Sequence, residues 1–449
     1  MGKTVEEINA GDLARAVEKA RRRLVPFLFV LYIVAYLDRI NIGFAALQMN
    51  AALGLSASAY ALGASIFFVG YTLFEVPSNI ILARVGARIW IARIMISWGI
   101  VSTAMMFVRT AGAFYALRFL LGAAEAGFFP GIIYYLTQWF PSAVRARTVA
   151  SFMTAVLIAG VVGGPISGAL LRLDGAGGLA GWQWLFLIEG LPAILMGVVV
   201  LRMLDDSPAA ARWLELAERS ALTAALTHEQ GTHVDVAVWT LLRNRRVWLL
   251  AALYFTIPVT LYGVGFWLPQ MLKSASASGT FTIGVLSAIP YAAAATVMVS
   301  VGRRSDRTGE RRLHVFIPAV VCVFGLALAA LGTSTTWTLV SLSVAMAGLA
   351  SIMGPFWALA TASLRGIGAA AAIGLINSIG NTGGFVGPYL LGAINDATHS
   401  FALGLVAIAL MLIVGGALVF LISIEPNHRK TNHPTHCVTP SSAETDLPG

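Results

Sequence analysis

The sequence predicts an all-α polytopic membrane protein with twelve transmembrane helices in two parallel six-helix halves, and three observations lead to this fold class. Charged residues make up 11% of the 449 residues and the mean hydropathy is +0.79, whereas soluble domains carry about 25% charged residues. Apolar residues come in blocks of about 20, the length of a membrane-spanning helix. Clustered sequence matches also recur at a fixed offset of 223 residues.

The apolar blocks number twelve, six before a polar central segment and six after it. They are predicted at about 25–45, 59–80, 89–108, 112–137, 149–171, 183–202, 247–268, 281–301, 313–332, 336–360, 370–393 and 401–424. The first block contains Asp38 and Arg39 and no small-residue cleavage site follows it, so we interpret it as a retained span rather than a signal peptide.

The basic residues are distributed unevenly between the two sides of the predicted membrane. With the N-terminus in the cytoplasm, 25 of the 30 Lys and Arg fall on the cytoplasmic side. Only Arg109, Arg172 and Lys273 fall on the other side, and Arg39 and Arg118 lie within spans. This asymmetry follows the positive-inside rule and predicts cytoplasmic N- and C-termini. The net charge of +9 is explained by basic residues on the cytoplasmic side of the lipid bilayer, so nucleic acid is not expected as a partner.

The two halves are predicted to have arisen by duplication, because Arg and Pro matches cluster at the offset of 223. Arg84, Gly86 and Arg88 recur as Arg307, Gly309 and Arg311, and Gly160, Gly164 and Pro165 recur as Gly383, Gly387 and Pro388. Matching orientation implies parallel repeats. The predicted segments are a cytoplasmic arm (1–24), the N-terminal half (25–202), a cytoplasmic linker (203–246), the C-terminal half (247–424) and a disordered cytoplasmic tail (425–449).

Ionisable residues inside the spans indicate where a transport pathway lies, because each costs about 2.5–3.5 kcal/mol on insertion scales. The clear cases, all in the N-terminal half, are Asp38, Arg39, Arg118 and Glu125. Glu75 and Glu189 lie nearer the span ends, and we interpret both as structural.

Arg118 and Glu125 are seven residues apart and therefore share one helix face. Asp38 and Arg39 lie at a comparable depth, so the four residues could form one buried cluster with balanced charge. A bound carboxylate would compete for an Arg, and protonation of Asp38 or Glu125 would remove the surplus negative charge. We therefore predict Asp38 and Glu125 as proton-coupling residues and Arg39 and Arg118 as anion ligands. A static ion-pair network that only holds the helices together is the alternative.

Uncharged polar residues are the other candidate substrate ligands. Asn377 and Asn381 are four apart on one face of the eleventh span, and Tyr36 and Tyr71 are predicted to face inward from the first two spans. Hydrogen bonding between helices is the alternative role for the Asn pair. Tyr254, Trp267 and Trp357 are interpreted as packing or interface residues.

Several function classes find no support in the sequence. A Walker loop is missing, which argues against ATP as the energy source, and no nucleophile with a His partner indicates an enzyme. Cys322 and Cys437 are too far apart in setting to predict a disulfide. The tail residues His428, His433, His436 and Cys437 are irregularly spaced, so no metal site and no cofactor are expected.

Two sets of motifs resemble a known family. The segment from Gly302 to Arg312, GRRSDRTGERR, resembles the signature loop of the major facilitator superfamily. The equivalent loop after the second span has Ala83 where the signature has Asp. The resemblance implies the major facilitator fold, a monomer, and a gating role for Arg84, Gly86, Arg88, Asp306, Arg307, Gly309 and Arg311.

More specifically, the chain resembles the anion:cation symporter family. The segments that carry the resemblance are YLDRIN from Tyr36, FEVPSN from Phe74, GARIWIAR from Gly86, RFLLGAAEAGFFPG from Arg118 and WFP from Trp139. The resemblance implies proton-coupled uptake of organic anions across a bacterial inner membrane. Within the family, these motif sequences are most similar to those of tartrate and sugar-acid carriers. The resemblance also assigns coupling and substrate binding to Asp38, Arg39, Arg118 and Glu125, and substrate contact to Asn377 or Asn381.

Two other functions remain open at this point. An exchanger or facilitator would have the same fold and need no proton. A transporter-like sensor would bind the acid and signal through the 203–246 linker or the tail. Accumulation against a gradient distinguishes a symporter from an exchanger or facilitator. Binding without flux would indicate a sensor.

Overall fold

The computed structural model describes residues 5–230, 238–332, 334–364 and 369–422, and these residues contain no β-strand. Eleven helical segments among them are long and apolar enough to cross a membrane. The predicted eleventh span is present as two consecutive helices separated at Thr382, each shorter than a membrane-spanning helix. The predicted twelve-span architecture is therefore confirmed, with the eleventh span broken near its middle.

The helices follow the predicted blocks. The N-terminal half contains α1 Val5–Leu53, α2 Ala57–Val85, α3 Ala87–Ala104, α4 Ala111–Glu125, α5 Phe128–Thr137, α6 Ser142–Met153, α7 Ala155–Leu170 and α8 Gly181–Met203. The central segment contains α9 Leu216–Gln230 and α10 Val238–Leu242. The C-terminal half contains α11 Arg245–Ser274, α12 Thr280–Thr308, α13 Leu313–Leu331, α14 Thr335–Ser363, α15 Ala369–Asn381, α16 Gly383–Thr398 and α17 Ala402–Ala417.

The repeat offset is visible in the helix bounds. Helices α2 and α12 begin 223 residues apart and also end 223 residues apart. Each is followed by a glycine with positive φ, Gly86 at 100° and Gly309 at 68°. Glycine is favoured there because a Cβ atom is strained at positive φ, and its N–H caps the last turn of the helix. The duplicated Gly positions are thus duplicated helix ends.

The predicted fourth span contains a break directly after Glu125. Gly127 has a φ of 86°, and a Cβ on it would lie 2.4 Å from Oγ of Ser78. Helix α4 therefore ends at Glu125, and α5 starts at Phe128. Such breaks within a span are tolerated where the backbone is buried in protein. Here the break leaves a carboxylate at a helix end inside the bundle.

Helix α1 continues from the predicted cytoplasmic arm into the first span without interruption. Helix α9, from the predicted linker, packs against the N-terminal part of α1. There, Nζ of Lys19 is 2.7 Å from Oε1 of Glu218. Burial alone would raise the pKa of Glu218, but the hydrogen bond from Lys19, the backbone N–H of Glu215 and the charges of Lys19 and Arg15 outweigh burial and lower it. Glu218 therefore stays ionised at neutral pH, so this contact does not change with physiological pH.

The two halves meet at the end of the bundle that the charge distribution assigns to the periplasm. Asp396 at the end of α16 accepts hydrogen bonds from the backbone N–H groups of Ala57 (2.9 Å) and Ser58 (2.8 Å) at the start of α2. On the other side of the bundle, a Cβ on Gly164 would lie 2.3 Å from the carbonyl oxygen of Gly284. Small residues thus allow α7 and α12 to touch backbone to backbone.

Candidate functional site

Arg39 and Glu125 form an ion pair inside the bundle. Nη2 of Arg39 contacts Oε1 of Glu125, and the two side chains are 12% and 2% exposed. Arg39 projects from the middle of α1, and Glu125 is the last residue of α4. Because both charges are withdrawn from water, the loss of either one would leave the other uncompensated.

The remaining surface of the Arg39 guanidinium faces aromatic residues and the other half of the chain. Nη1 donates a 3.0 Å hydrogen bond to the hydroxyl of Tyr262 on α11. The guanidinium carbon is 5.4 Å from the ring centroid of Phe67 and 5.4 Å from that of Tyr71. Nε of Arg39 is buried and has no hydrogen-bond partner in the described part of the chain. It is an available donor for an anionic ligand.

Asp38 faces away from this ion pair. Its Oδ1 accepts a 3.2 Å hydrogen bond from Nδ2 of Asn41 and contacts the hydroxyl of Ser102 on α3. Its Oδ2 has no partner among the described residues. Successive residues of an α-helix point about 100° apart, so Asp38 and Arg39 reach different neighbours. Of the four residues expected to form one cluster, Arg39 and Glu125 are paired, whereas Asp38 makes no ion pair with an Arg in the described chain.

Arg118 is also placed differently from the expected cluster. It is 1% exposed, and its Nε and Nη2 donate to the carbonyl oxygens of Gly63 (3.2 Å) and Ala64 (3.0 Å) on α2. Its guanidinium carbon lies 5.1 Å from the centroid of Phe67, so this ring has Arg39 and Arg118 as neighbours. Arg118 shares a buried face of α4 with Glu125, as predicted, but in this conformation backbone carbonyls occupy its donors.

A second group of polar residues bridges the halves one helical turn from Tyr71. Glu75 on α2 is 3% exposed and accepts hydrogen bonds from the Ser378 hydroxyl (3.0 Å) and from Nδ2 of Asn377 (3.5 Å), both on α15. The hydroxyl of Tyr254 donates to Oδ1 of Asn377 at 3.4 Å. Asn377 therefore lies in the polar region between the halves, and Tyr254, interpreted from sequence as a packing residue, orients it.

Asn381 and Tyr36 have surroundings unlike those of Asn377 and Tyr71. Asn381 is the last residue of α15, before the break at Thr382, and has no hydrogen bond from its side chain in the described chain. Tyr36 is 4% exposed and packs with Ile40 and with Ala159 of α7. Asn381 lies one turn after Asn377 on the same helix α15, at its end, and the hydrogen bonds to Glu75 come from Asn377 and Ser378.

The predicted gating residues Arg88 and Arg311 bond to their own half or to the start of the linker. The backbone N–H of Arg88 donates to Asp206 (2.9 Å), and its Nε donates to the carbonyl of Leu201 (2.8 Å). In the C-terminal half, Arg311 contacts Asp306 at 2.8 Å within the same loop. Arg84 and Arg307 are exposed, and Gly86 and Gly309 end their helices as described above. In the parts of the loops that the structure describes, we find no bond between the two halves.

Tyr262, Glu75 and Ser378 were not identified as site residues from the sequence. The sequence repeat could have identified Tyr262, because it lies 223 residues after Arg39 and is thus the repeat equivalent of that residue. Equivalent positions of parallel repeats meet where they lie near the pseudo-twofold axis, so the Arg39–Tyr262 hydrogen bond lies on that axis. Glu75 was interpreted as structural, and its hydrogen bonds to Asn377 and Ser378 come from residues of the other half.

Metal binding has no structural support in the described residues, which contain no group of three or more His, Cys, Asp or Glu placed to hold an ion. The predicted tail 425–449, with its His residues and Cys437, lies outside the described residues. Cys322 is a buried free thiol on α13.

Comparison with known proteins identifies the family model that fits this architecture. The model described as Major Facilitator Superfamily matches residues 28–388. Among solved structures, a bacterial homolog of the human lysosomal transporter Spinster superimposes with a TM-score of 0.74. That comparison covers 90% of this chain and 96% of the other, at 18% sequence identity. The similarity therefore concerns the fold.

Two curated relatives are considerably more similar in sequence. A protein of Agrobacterium vitis named "Putative tartrate transporter" is 49% identical over 413 residues, which covers 91% of this chain and 92% of the relative. The "Inner membrane transport protein RhmT" of Escherichia coli strain K12 is 40% identical over 427 residues, or 94% of this chain and 99% of the relative.

Proposed function

Because the chain belongs to the major facilitator superfamily and is a multi-pass membrane transporter, we propose that it is a proton-coupled symporter. Its proposed substrate is a small organic anion such as tartrate or a sugar acid, taken up across a bacterial inner membrane by alternating access. The observation that carries this proposal is the buried Arg39–Glu125 ion pair beside Tyr262. The names of the relatives from Agrobacterium vitis and Escherichia coli support the substrate class and the membrane.

The proposed coupling follows from competition for one guanidinium. While Glu125 is ionised, it neutralises Arg39, and an incoming carboxylate would add an uncompensated negative charge to a buried site. A proton on Glu125 removes that competitor, so the substrate carboxylate can pair with Arg39 through Nη2 and the free Nε. Buried charges require such compensation because isolated ions are strongly disfavoured away from water. Substrate binding and protonation therefore favour each other.

Asp38 and Arg118 have supporting roles in this proposal. Asp38 lies behind Arg39 with one oxygen unpartnered, so a proton there neutralises a buried carboxylate without disturbing the ion pair. Arg118 keeps α2 close to α4 through the carbonyls of Gly63 and Ala64. It would contact the substrate only after leaving those carbonyls. Tyr36, Tyr71, Asn377 and Asn381 remain the proposed neutral ligands.

The conformation fits one stage of alternating access. The hydrogen bonds from the start of α2 to Asp396 of α16 and the contact of Gly164 with Gly284 close the end assigned to the periplasm. The loops that carry Arg88 and Asp306, at the end assigned to the cytoplasm, bond within their own halves or to the start of the linker. These contacts support a state that is closed to the periplasm and in which the substrate leaves toward the cytoplasm.

The test is uptake of a radiolabelled panel of organic acids, tartrate included, into proteoliposomes with and without an inward proton gradient. Accumulation of one acid that requires the gradient is the expected result. Equilibration of the acid to the same extent with and without the proton gradient would instead indicate a facilitator or exchanger. Tight binding with no flux would indicate a sensor, and either result would overturn the symport proposal.

A further inference from the structure

Glu75 is a buried carboxylate that the coupling scheme above does not use. It lies on α2, four residues and one helical turn after Tyr71, and is 3% exposed. Its two carboxylate oxygens accept hydrogen bonds from different residues of the other half, Oε2 from Ser378 and Oε1 from Asn377. The side chain therefore connects α2 to α15 across the boundary between the halves.

No Lys or Arg forms an ion pair with Glu75 in the described chain. The titratable groups that face it are Arg39 from α1, Tyr71 from its own helix and Tyr254 from α11. Helix α15 contributes only the neutral donors Asn377 and Ser378. Arg39 is already paired with Glu125, so the charge of an ionised Glu75 is offset by hydrogen bonds from α15 rather than by a cation of its own.

The count of buried charges calls for more than one proton and includes Glu75 among the candidates. Two cations, Arg39 and Arg118, face four carboxylates in the interior of the N-terminal half. These carboxylates are Asp38, Glu75, Glu125 and Glu189, each at most 5% exposed. With all of them ionised, the region would carry two excess negative charges in a medium that penalises them. More than one of these carboxylates must therefore bind a proton when an anionic substrate enters.

Because of the position of Glu75, its protonation would change the contact between α2 and α15. Glu75 lies ten residues before the end of α2 that carries Arg84, or about 15 Å along the helix axis. An ionised carboxylate is a strong acceptor for the donors of α15, whereas a protonated carboxyl is a weaker acceptor and has an O–H group of its own to satisfy. Protonation therefore weakens the contact between α2 and α15 on the cytoplasmic side of Arg39.

We propose that Glu75 is a further proton-binding residue of the transport cycle, besides Glu125 and Asp38, whose ionised form holds α15 against α2 and whose protonated form releases it. The inference depends on the proposed symport. The proton enters with the substrate and leaves to the cytoplasm once the released helices expose Glu75. Each substrate is then accompanied by one proton more than the switch at Glu125 alone requires.

The experiment measures the number of protons per substrate from the reversal potential of tartrate flux in proteoliposomes. Glu75→Gln is isosteric and cannot be ionised, so it should transport with one proton fewer than the wild type. The matched control is Ser378→Ala, which removes a hydrogen-bond donor but keeps the carboxylate, and it should keep the wild-type stoichiometry. Glu75→Asp, which retains a carboxylate, should restore it.

A stoichiometry of Glu75→Gln equal to that of a proton-driven wild type would overturn the inference and leave the proposed symport intact. A wild type without any proton-driven flux would instead refute the symport and the inference together. If Glu75→Gln does not fold, labelling of Ile376→Cys with a maleimide provides a second test in otherwise wild-type protein lacking Cys322 and Cys437. Ile376 is fully buried on α15, so its labelling, relative to that of the same variant unfolded at the same pH, should increase at acidic pH. The unfolded reference is needed because only the thiolate reacts. A relative labelling that does not change with pH would contradict release of α15.

Discussion

At the scale of single residues, Arg39 combines three different environments around one guanidinium. One nitrogen meets Glu125, one meets Tyr262 of the other half, and one has no partner among the residues that the structure describes. A planar guanidinium with fixed donors suits this arrangement better than a Lys would, because its donors point in separate directions. The same side chain can therefore contact Glu125, α11 and a ligand at its third nitrogen at the same time.

Glu125→Gln should abolish proton-driven accumulation while sparing exchange of substrate across the membrane. The amide cannot bind and release a proton, and it no longer competes with the substrate as an anion for Arg39. Proteoliposome uptake with an imposed gradient should therefore end at equilibrium, whereas counterflow continues. Glu18→Gln, on the exposed part of α1, is the control and should behave as wild type. Undiminished uphill uptake by Glu125→Gln would refute its coupling role.

Tyr262→Phe should weaken substrate affinity by roughly fivefold, since one hydrogen bond of about 1 kcal/mol to the Arg39 guanidinium is lost. The ring that packs against Phe68 is retained, so folding should not suffer. Equilibrium binding of labelled tartrate provides the measurement, and Tyr389→Phe on the exposed face of α16 provides the control. Equal affinity of both variants would show that the hydroxyl does not help to position Arg39.

At the scale of helices, breaks and small residues determine which groups meet. Gly127 ends α4 at Glu125, and Thr382 separates α15 from α16, so two spans present helix ends inside the bundle. Glycines of α7 and α12 allow two backbones to touch. These features place polar side chains beside backbone groups that an unbroken, bulky helix would keep apart.

Gly164→Val should lower the rate of uptake at least about tenfold without preventing membrane insertion. The new side chain would collide with the carbonyl of Gly284, and overpacking of this kind costs about 1–3 kcal/mol. The closed periplasmic end would be disfavoured as a result. Gly112→Ala is the control, because a Cβ at that position meets nothing within 4 Å. Wild-type uptake rates in Gly164→Val would show that α7 and α12 need not approach so closely.

At the scale of the whole molecule, the contacts between the halves are concentrated at one end and in the middle. Asp396 and the Gly164–Gly284 contact close the end assigned to the periplasm, and Arg39–Tyr262 and Glu75–Ser378 connect the halves in the interior. The two interior contacts contain Arg39 and Glu75, whereas the Gly164–Gly284 contact is made by backbone and small residues. A proton on Glu125 or Glu75 would thus act on the middle of the molecule and leave the Gly164–Gly284 contact unchanged.

Asp396→Ala should shift the protein toward an outward-open state about fivefold, because it removes a cap from α2 worth about 1 kcal/mol. The measurement is maleimide labelling, from the periplasmic side, of Ser287→Cys in protein lacking Cys322 and Cys437. Ser287 is buried beneath the Gly164–Gly284 contact. Asp174→Ala, whose carboxylate bonds only to Gly181 within the same half, is the control. Unchanged labelling of Asp396→Ala would mean that the cap does not hold the periplasmic end closed.

Properties that depend on short stretches of chain could be predicted from the sequence. Span number follows from the length of apolar blocks, and duplicated helix ends follow from Gly86 and Gly309. The cost of charge in a membrane was enough to find Asp38, Arg39, Arg118 and Glu125. None of these inferences needs the helices to be placed relative to one another.

Only the tertiary structure decided which of those residues meet. Adjacent residues Asp38 and Arg39 separate because they point in different directions from α1, and Arg118 turns to backbone carbonyls rather than to a carboxylate. The partners Tyr262 and Ser378 come from the other half of the chain. Such contacts depend on how helices pack and where they break, because residues far apart in sequence meet only once those angles are set.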